Sequence, residues 1–476
     1  MTHNFSTPNR RLTNRFKEIV GPDNVVTDTG QMQPYLVEWR DLYHGNSPMV
    51  LRPGTVEEVS KVVQLANASR TAIVPQGGNT GLVGGQIPDE SGTEIVVSTE
   101  RLNAVRNVDT DGNVMTVEAG VILDKIHEEA TAVDRMFPLT LGSQGSCFIG
   151  GNISTNAGGT AVLAYGNTRD LILGLEVVLP DGQIWNGLRA LRKDNTGYDL
   201  KQLFIGAEGT LGIITAANLK LFPVPRAQEV AFIGLESPHQ ALRLFNMAQS
   251  HAGSMLTGFE LMPRIGIEFT LRHLPGARDP LMSQHAWYVL MEISSGSEAE
   301  SARSLVETLF EEAVAAELVE DAVLAESIEH RKSFWHLRHG MSEVQKQEGG
   351  SIKHDVSVPV AKVPEFLDRA IAAVEAQIPG CRPVPFGHMG DGNIHFNITQ
   401  PAGADKDAFI RRWDEVNATV HGIVADLNGS ISAEHGIGRL KRSLLKDIKD
   451  PVEYEMMQRI KMAFDPSGIL NPGRIL

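Results

Sequence analysis

The sequence predicts an α+β protein of more than one domain, and three observations support this. Its 476 residues exceed what one ordinary hydrophobic core accommodates, so two or three domains are expected. The first part of the chain is dense in glycine, whereas after about Pro223–Arg226 apolar strands alternate with longer helices. Such alternation is typical of helices packed on an antiparallel sheet. The chain ends in the turn-rich segment Ala463–Leu476, which follows a long helical pattern.

A β-α-β unit is predicted between Pro48 and Gly85. Met49–Leu51 is a short apolar strand, and Thr55 precedes Glu58 by three residues, the capping-box spacing that opens a helix. The returning strand is Ala72–Val74. The remaining predicted elements follow in chain order: strands Glu94–Val97 and Val114–Val117, the hairpin Gly174–Leu179 with Gln183–Trp185, strand Ala231–Leu235, helix Pro238–Ala252, strand Ala286–Ile293 and helix Glu298–Ala315.

Two glycine-rich stretches, Val74–Gly85 and Gly142–Gly159, carry few charges and cannot build a core. Glycine lets backbone N–H groups approach a polyanion closely, so the pair indicates a long diphosphate ligand, and a dinucleotide is the leading hypothesis. A third cluster, Gly206–Gly212, precedes an apolar strand. The motifs G-x-G-x-x-G and G-x-x-x-x-G-K-[ST] are absent, which leaves a nicotinamide-binding Rossmann unit and a P-loop without support.

Charge and composition exclude several functional classes. The formal charge of −15 argues against a nucleic-acid partner, since phosphate neutralisation needs a basic surface. No stretch of about 20 apolar residues occurs, so no membrane span is expected. The two cysteines, Cys147 and Cys381, indicate a reducing compartment, and the first residues lack a secretory apolar region. A cytoplasmic location is therefore expected.

A second informative region is Pro385–Ile398. Asp391-Gly392 predicts a tight turn, which places His388 and His395 on two strands of one hairpin, with Asn397 on the same face as His395. Two imidazoles across a hairpin suit a divalent cation that still needs an anionic ligand. Glu434 can supply it, which leaves the adjacent His435 as a base.

These motifs resemble a known family. The segments PQGGNTGLVGG, GGNISTNAGG and GAEGTLGIIT resemble the FAD domain of flavoproteins of the vanillyl-alcohol oxidase/p-cresol methylhydroxylase type. GHMGDGNIHFN, SAEHGIGRLKR and NPGRIL resemble its D-2-hydroxyacid dehydrogenase branch, close to the dehydrogenases of D-2-hydroxyglutarate. The resemblance implies a two-subdomain FAD-binding domain over 1–226, an α+β substrate or cap domain with an antiparallel sheet over 227–425, and a helical C-terminal segment, 426–476, that packs back on the FAD domain.

The resemblance also implies site residues. His388, His395 and Glu434 match the ligands of a divalent metal, with zinc the expected ion, and His435 matches the catalytic base. Arg338, Ser342, Lys353 and Asn397 match substrate contacts, with Ser342 in place of a threonine. Asn79 stands where relatives with covalent flavin have histidine, so FAD is expected to be held non-covalently. The residues matched to FAD contacts are Pro75, Gln76, Gly77, Gly78, Asn79, Thr80, Gly81, Leu82, Pro138, Leu141, Gly142, Ser143, Gly145, Gly151, Asn152, Thr155, Asn156, Gly158, Gly159, Glu208, Gly209, Gly212, Ile213, Ile214 and Asn471.

The implied function is metal-assisted oxidation of a D-2-hydroxyacid, with D-2-hydroxyglutarate the leading substrate, by hydride transfer from C2 to flavin N5. D-lactate or glycolate dehydrogenase activity and a non-catalytic flavin subunit of an oxidase complex are the alternatives. The sequence has no cysteine cluster of the kind that holds an iron–sulfur centre, so electrons are expected to pass to a separate acceptor such as an electron-transfer flavoprotein, a quinone or oxygen. The resemblance also favours a homodimer.

Overall fold

The computed structural model describes residues 5–296 and 299–476, and for residues 299–301 it describes the backbone alone. The described helices are α1 (Arg10–Val20), α2 (Thr29–Leu36), α3 (Val56–Ser69), α4 (Leu123–Thr131), α5 (Ile149–Thr155), α6 (Val162–Tyr165), α7 (Thr168–Leu171), α8 (Lys201–Phe204), α9 (Pro238–Ala252), α10 (Arg264–His273), α11 (Ala299–Ala315), α12 (Ile328–Val344), α13 (Val363–Gln377), α14 (Lys406–Ile410), α15 (Trp413–Asp426), α16 (Arg442–Ile448) and α17 (Pro451–Phe464). Glu298, where the sequence places the start of α11, lies outside the described residues.

The described strands are β1 (Val25–Val26), β2 (Val50–Leu51), β3 (Ala72–Gln76), β4 (Glu94–Ser98), β5 (Val105–Asp109), β6 (Val114–Glu118), β7 (Arg135–Met136), β8 (Ile172–Val178), β9 (Ile184–Gly187), β10 (Ile213–Lys220), β11 (Phe222–Pro223), β12 (Ala227–Leu235), β13 (Leu256–Pro263), β14 (Trp287–Ser295), β15 (Asp321–Leu324), β16 (Ser351–Ser357), β17 (Arg382–His388) and β18 (Asn393–Thr399).

The chain divides into two compact units. Unit 1 comprises Met1–Gly158, Asn167–Val224 and Glu434–Leu476, and unit 2 comprises Gly159–Gly166 and Pro225–Ala433. The division predicted from the sequence (1–226, 227–425 and 426–476) stays a prediction.

Unit 1 contains two larger sheets. The first has the strand order β1-β2-β4-β3, in which β4 pairs in parallel with β2 and β3. The helix α3 begins as the capping-box spacing predicts, because the Thr55 hydroxyl accepts a hydrogen bond of 3.2 Å from the N–H of Glu58. Its apolar face, which includes Val59, Val62 and Val63, packs in a buried core with Ile73 of β3. The second sheet is antiparallel in the order β5-β6-β10-β8-β9.

The C-terminal tail of unit 1 extends the first sheet. The N–H of Ile73 donates to the carbonyl of Ile469 at 2.8 Å, and the N–H of Asn471 donates to the carbonyl of Ile73 at 2.8 Å. A buried ion pair between Arg474 and Glu94 of β4 holds the last residues. The tail therefore places Asn471 beside Ile73, the residue that precedes the first glycine-rich stretch, Val74–Gly85.

Unit 2 is built on an antiparallel sheet, and its described strands have the order β15-β12-β14-β13-β17-β18-β16. The hairpin β17–β18 turns at Asp391-Gly392, as the sequence predicts, and Gly392 has a φ of 85°, which favours glycine. An apolar cluster that includes Phe334, Leu337 and Met341 of α12 packs with Val384 and Phe386 of β17. This packing fixes α12 over the sheet. None of the helices in the described part of the chain is both long and apolar enough to cross a membrane.

Candidate functional site

In unit 1 the first glycine-rich loop presents a run of unused backbone donors. Within the described residues, no group accepts a hydrogen bond from the N–H groups of Gly77–Gly85. These residues are half-buried or buried, so the donors are not simply spread over an exposed surface. Consecutive backbone N–H groups of this kind form concave sites for anions, and phosphate oxygens are typical occupants. The loop therefore has the chemistry that a diphosphate requires.

The structure brings the other glycine-rich segments of unit 1 to this loop. A Cβ on Gly78 would lie 2.1 Å from the carbonyl oxygen of Ser146, so this position accommodates glycine alone without a backbone shift. The third cluster packs against the end of β3, since a Cβ on Gly209 would lie 3.0 Å from the Pro75 ring. Three segments distant in sequence thus meet at one place.

Asn471 and Glu208 connect the C-terminal tail to the same region. The Asn471 amide donates to the carbonyl of Gly85 at 3.1 Å and to the carbonyl of Glu208 at 2.7 Å. The Glu208 carboxylate accepts from the N–H groups of Ile437 and Gly438 at 2.7 and 2.8 Å. Burial raises the pKa of Glu208 to about 7, and those two N–H donors counteract part of the rise.

The observed residues fit FAD. A Cβ on Gly142 or on Gly151 would meet nothing within 4 Å, so both face open space. The side-chain oxygens of Asn152 and Asn471 are buried, and neither has a hydrogen-bond partner among the described residues. Open space beside buried unsatisfied amide oxygens is what a polar ligand fills. All the predicted FAD contacts except Gly159 belong to unit 1.

In unit 2 one face of the sheet collects polar side chains. Cross-strand register pairs Glu260 with His388, Phe386 with His395 and Val384 with Asn397. On the other side of β18, β16 pairs Asp355 with His395 and Lys353 with Asn397. Partners and alternate residues share a face. We call the set Glu260, Lys353, Asp355, His388, His395 and Asn397 the histidine face.

The two predicted metal-ligating histidines lie together on this face. Their ring centroids are 5.6 Å apart. The Nδ1 of His388 lies 2.7 Å from Glu260, and the Nδ1 of His395 lies 3.9 Å from Asp355. Burial raises the pKa of the neighbouring Asp391 to about 6. A carboxylate stands beside each imidazole, an arrangement that is typical of metal-binding histidines.

Glu260 is a residue that sequence reasoning missed. It is 1% exposed, and its two oxygens accept hydrogen bonds from Arg338 Nε at 2.6 Å and from His388 Nδ1 at 2.7 Å. Burial alone raises the pKa of a carboxyl group, but the charges of Arg338 and His388 outweigh it and hold the pKa of Glu260 at about 2. The sequence did contain a signal, because Glu260 is the one charged residue in strand β13.

The predicted substrate contacts also lie in unit 2. Arg338 is 5% exposed, and its guanidinium carbon lies 4.8 Å from the ring centroid of Phe386. The Lys353 ammonium donates to the carbonyl of Ser342 at 3.0 Å, so these two residues are neighbours. Asn397 donates at 3.0 Å to the buried Gln345, a second residue that the sequence did not indicate.

Glu434 and His435 lie in a loop of unit 1 that precedes α16, and both are partly exposed. The loop continues directly into Ile437 and Gly438, whose N–H groups are held by Glu208. Glu208 therefore fixes the backbone two residues after His435.

Comparisons with known proteins agree with this geometry. Residues 47–187 match an FAD binding domain, and residues 224–475 match the C-terminal domain of FAD linked oxidases. The chain belongs to the FAD-linked oxidase family. Mitochondrial D-2-hydroxyglutarate dehydrogenase from Arabidopsis thaliana is 36% identical over 479 residues, which covers 99% of this chain and 82% of that protein. The protein of the same name from Danio rerio is 38% identical over 458 residues, with coverage of 96% and 83%.

Other comparisons agree. D-2-hydroxyglutarate–pyruvate transhydrogenase DLD3 from Saccharomyces cerevisiae is 36% identical over 466 residues, with coverage of 96% of this chain and 92% of that protein. The solved structure of p-cresol methylhydroxylase with substrate bound has a TM-score of 0.77 and 16% identity, and covers 98% of this chain and 96% of that one. The predicted fold class, the family and an FAD-dependent oxidoreductase are therefore confirmed.

The expected cytoplasmic location is wrong. Relatives that match almost the whole chain are named as mitochondrial enzymes. The prediction relied on the lack of a secretory apolar region and on the low cysteine content. The first signal concerns export and the second concerns disulfide formation, so neither separates the cytoplasm from other reducing compartments.

Proposed function

We propose that this protein oxidises a D-2-hydroxyacid to the 2-oxoacid with FAD as cofactor, and that D-2-hydroxyglutarate is its substrate. The observation that carries this proposal is the buried Arg338 beside the histidine face, because a buried guanidinium suits a second carboxylate. D-lactate and glycolate have no second carboxylate. The names of the relatives support the same substrate.

FAD would be held by the glycine-rich segments of unit 1, with the free N–H groups of Gly77–Gly85 on its diphosphate. When bound, FAD supplies the acceptor for the hydride that leaves C2 of the substrate. We propose that binding is non-covalent, because the Asn79 amide donates to the carbonyls of Pro34 and Val37 and carries no nucleophile. The remaining FAD contacts matched above are part of this proposal.

A divalent cation, with zinc the first choice, would be held by His388, His395 and Glu434. His388 uses Nδ1 for Glu260, so Nε2 is the nitrogen with which it would bind. Glu434 directly follows Ala433, whose N–H lies 3.4 Å from the carbonyl of Asp355, the cross-strand partner of His395. Two imidazoles and one carboxylate suit zinc, manganese or cobalt. Such a cation would lower the pKa of the substrate hydroxyl and offset the charge that develops on it.

The substrate's far carboxylate would be bound by Arg338, with Ser342 and Lys353 as further donors. The Nε of Arg338 is committed to Glu260, so the remaining fork is formed by Nη1 and Nη2. The side-chain N–H of Asn397 donates to Gln345. The side-chain oxygen of Asn397 would then accept a hydrogen bond from the substrate.

His435 would act as the base that takes the hydroxyl proton while hydride leaves C2. The product is then the 2-oxoacid, with the proton on His435 and the two electrons on the cofactor. Glu208 would support this role by holding the backbone of Ile437 and Gly438. Electrons would then pass from the cofactor to a separate acceptor. We also expect the protein to be a homodimer, and analytical ultracentrifugation measures this oligomeric state.

The test is anaerobic mixing of the purified protein with D-2-hydroxyglutarate, its L-enantiomer, D-lactate, D-malate and glycolate, each with and without a chelator. Bleaching of the flavin absorbance is the readout. We expect rapid bleaching by D-2-hydroxyglutarate that the chelator suppresses. If D-lactate or glycolate bleaches the flavin and D-2-hydroxyglutarate does not, the proposed role of Arg338 in binding the second carboxylate is contradicted. A protein that no substrate bleaches would fit a non-catalytic flavin subunit and contradict the proposal.

The same preparation tests the flavin linkage. Acid or heat denaturation should release all the yellow colour into the supernatant, because Asn79 cannot form the bond that a histidine forms. Colour that stays with the precipitated protein would contradict non-covalent binding.

A further inference from the structure

Glu260 stands between two groups that the proposed function treats as separate. One of its oxygens accepts from Arg338 Nε at 2.6 Å, and the other accepts from His388 Nδ1 at 2.7 Å. Both partners are buried as well, with 5% of Arg338 and 7% of His388 exposed. The carboxylate is therefore the link between the expected substrate clamp and an expected metal ligand.

The fold makes this link stiff. Glu260 and His388 are direct cross-strand partners in the antiparallel pairing of β13 with β17, so the sheet itself sets their separation. Arg338 comes from α12, and its guanidinium lies over the ring of Phe386, which is two residues before His388 on the same strand. Arg338 is thus held from two sides, by Glu260 of β13 and by Phe386 of β17, the strand that carries the expected metal ligand His388.

The contact with Glu260 has a chemical consequence for each partner. A histidine binds a metal through a ring nitrogen that carries no proton. A carboxylate that accepts a hydrogen bond from Nδ1 keeps the proton on Nδ1, so Nε2 is the nitrogen that faces the metal. In Arg338 the same carboxylate occupies Nε, and no described residue accepts a hydrogen bond from Nη1 or Nη2. Only the end-on fork of Arg338 then remains for a substrate carboxylate.

We infer that Glu260 is a positioning residue that sets the tautomer and direction of His388 and the orientation of the Arg338 fork, and so couples metal binding to recognition of a diacid. This inference rests on the proposed function. The competing interpretation is that Glu260 only balances the buried charge of Arg338.

The variant Glu260→Gln separates the two interpretations. An amide oxygen can accept from Arg338 or from His388, whereas the amide nitrogen is a donor and opposes the other one. The matched control is Glu292→Gln. Glu292 lies in the neighbouring strand β14 and accepts from Trp335 Nε1 at 3.1 Å and Thr257 Oγ1 at 2.8 Å, but from neither Arg338 nor His388.

The first readout is metal content after dialysis against buffered free Zn²⁺. We expect zinc affinity to fall about 10- to 100-fold in Glu260→Gln, as for other carboxylates behind ligating histidines, and to stay unchanged in Glu292→Gln. The variant His388→Ala is measured in parallel. If His388→Ala keeps its zinc, the metal site of the proposed function is wrong. If His388→Ala loses zinc while Glu260→Gln binds it like the wild type, the positioning role is overturned.

The second readout is the Michaelis constant for two substrates. Loss of the Nε contact frees the guanidinium to rotate, so Glu260→Gln should raise KM for D-2-hydroxyglutarate more than KM for D-lactate. Equal changes for both substrates would reduce Glu260 to a charge-balancing role and overturn the coupling.

A third measurement needs no altered Glu260 and remains informative if Glu260→Gln does not fold. Nitrogen-15 NMR of histidine-labelled wild-type protein reports the tautomer of each imidazole, and the missing signals in His388→Ala assign His388. We expect the proton on Nδ1. A proton on Nε2 would overturn the inference, because Glu260 would then not be setting the tautomer.

Discussion

The glycine-rich loops of unit 1 and the histidine face of unit 2 present polar groups to a ligand in opposite ways. In Gly77–Gly85 the donors are consecutive backbone N–H groups, so a short stretch of sequence contains the whole set of donors. On the histidine face the six residues come from four different strands, and His388 is 128 residues from Glu260. A binding site made of backbone N–H groups can be recognised in one stretch of sequence. A site made of side chains depends on strand order and register.

This difference predicts different costs of substitution. On the histidine face, a change should act through an unpaired partner that stays buried. In the glycine-rich loops a substitution should act sterically, because an added Cβ either collides with the backbone or occupies the space of the ligand. The following substitutions test that contrast, from the largest expected effect to the smallest.

The largest effect is expected for Arg338→Ala. It leaves the buried Glu260 carboxylate without its guanidinium, so the free energy of unfolding should fall by about 3–5 kcal/mol, and turnover of D-2-hydroxyglutarate should be lost. Urea titration and steady-state assays measure both. The double variant Arg338→Ala/Glu260→Gln should recover part of the lost stability, because the unpaired charge is gone. A single variant as stable as the wild type would contradict the contrast.

Gly78→Ala should have the next largest effect. Its Cβ would lie 2.1 Å from the Ser146 carbonyl oxygen, and backbone must move to relieve this contact. We expect a loss of about 1–3 kcal/mol in unfolding free energy together with weakened FAD binding. Thermal unfolding and flavin titration measure these quantities. Unchanged stability would show that the two loops are not packed as described.

Gly151→Ala should give a smaller effect of opposite sign in the FAD-free protein. Its Cβ meets nothing within 4 Å, and the residue lies in helix α5, where alanine is favoured over glycine by about 0.8–1 kcal/mol. If FAD occupies that open space, its affinity should fall although the FAD-free protein becomes more stable. An unchanged dissociation constant for FAD would place the cofactor elsewhere.

Glu208→Gln stands apart from this order, because it is expected to change the pH dependence of stability. The folded-state pKa of Glu208 is about 7, raised from 4.5 by burial, so the folded protein holds this proton where the unfolded chain has lost it. Stability should therefore fall as pH rises from 4.5 to 7, and Glu208→Gln should flatten that decline. Parallel slopes for the two proteins between these pH values would show that Glu208 is ionised throughout.

Local patterns were sufficient for several elements. The Thr55 cap and the hairpin that carries His388 and His395 formed where the sequence predicts them, because capping and tight turns depend on residues within a few positions. Glu260 and Gln345 were missed, because neither has a local partner. Glu260 acquires its role through the pairing of β13 with β17, and Gln345 acquires its contact through Asn397 of β18.

The sequence by itself determined the glycine-rich loops, the histidine hairpin and the family, because backbone donors, turns and alternation are written in contiguous residues. Only the tertiary structure decided that a buried carboxylate joins Arg338 to His388, and that Asn471 meets Gly85 and the carbonyl of Glu208. The physical reason is that these contacts depend on non-local strand pairing and on the packing of α12 over the sheet. Neither is encoded within any one stretch of the chain.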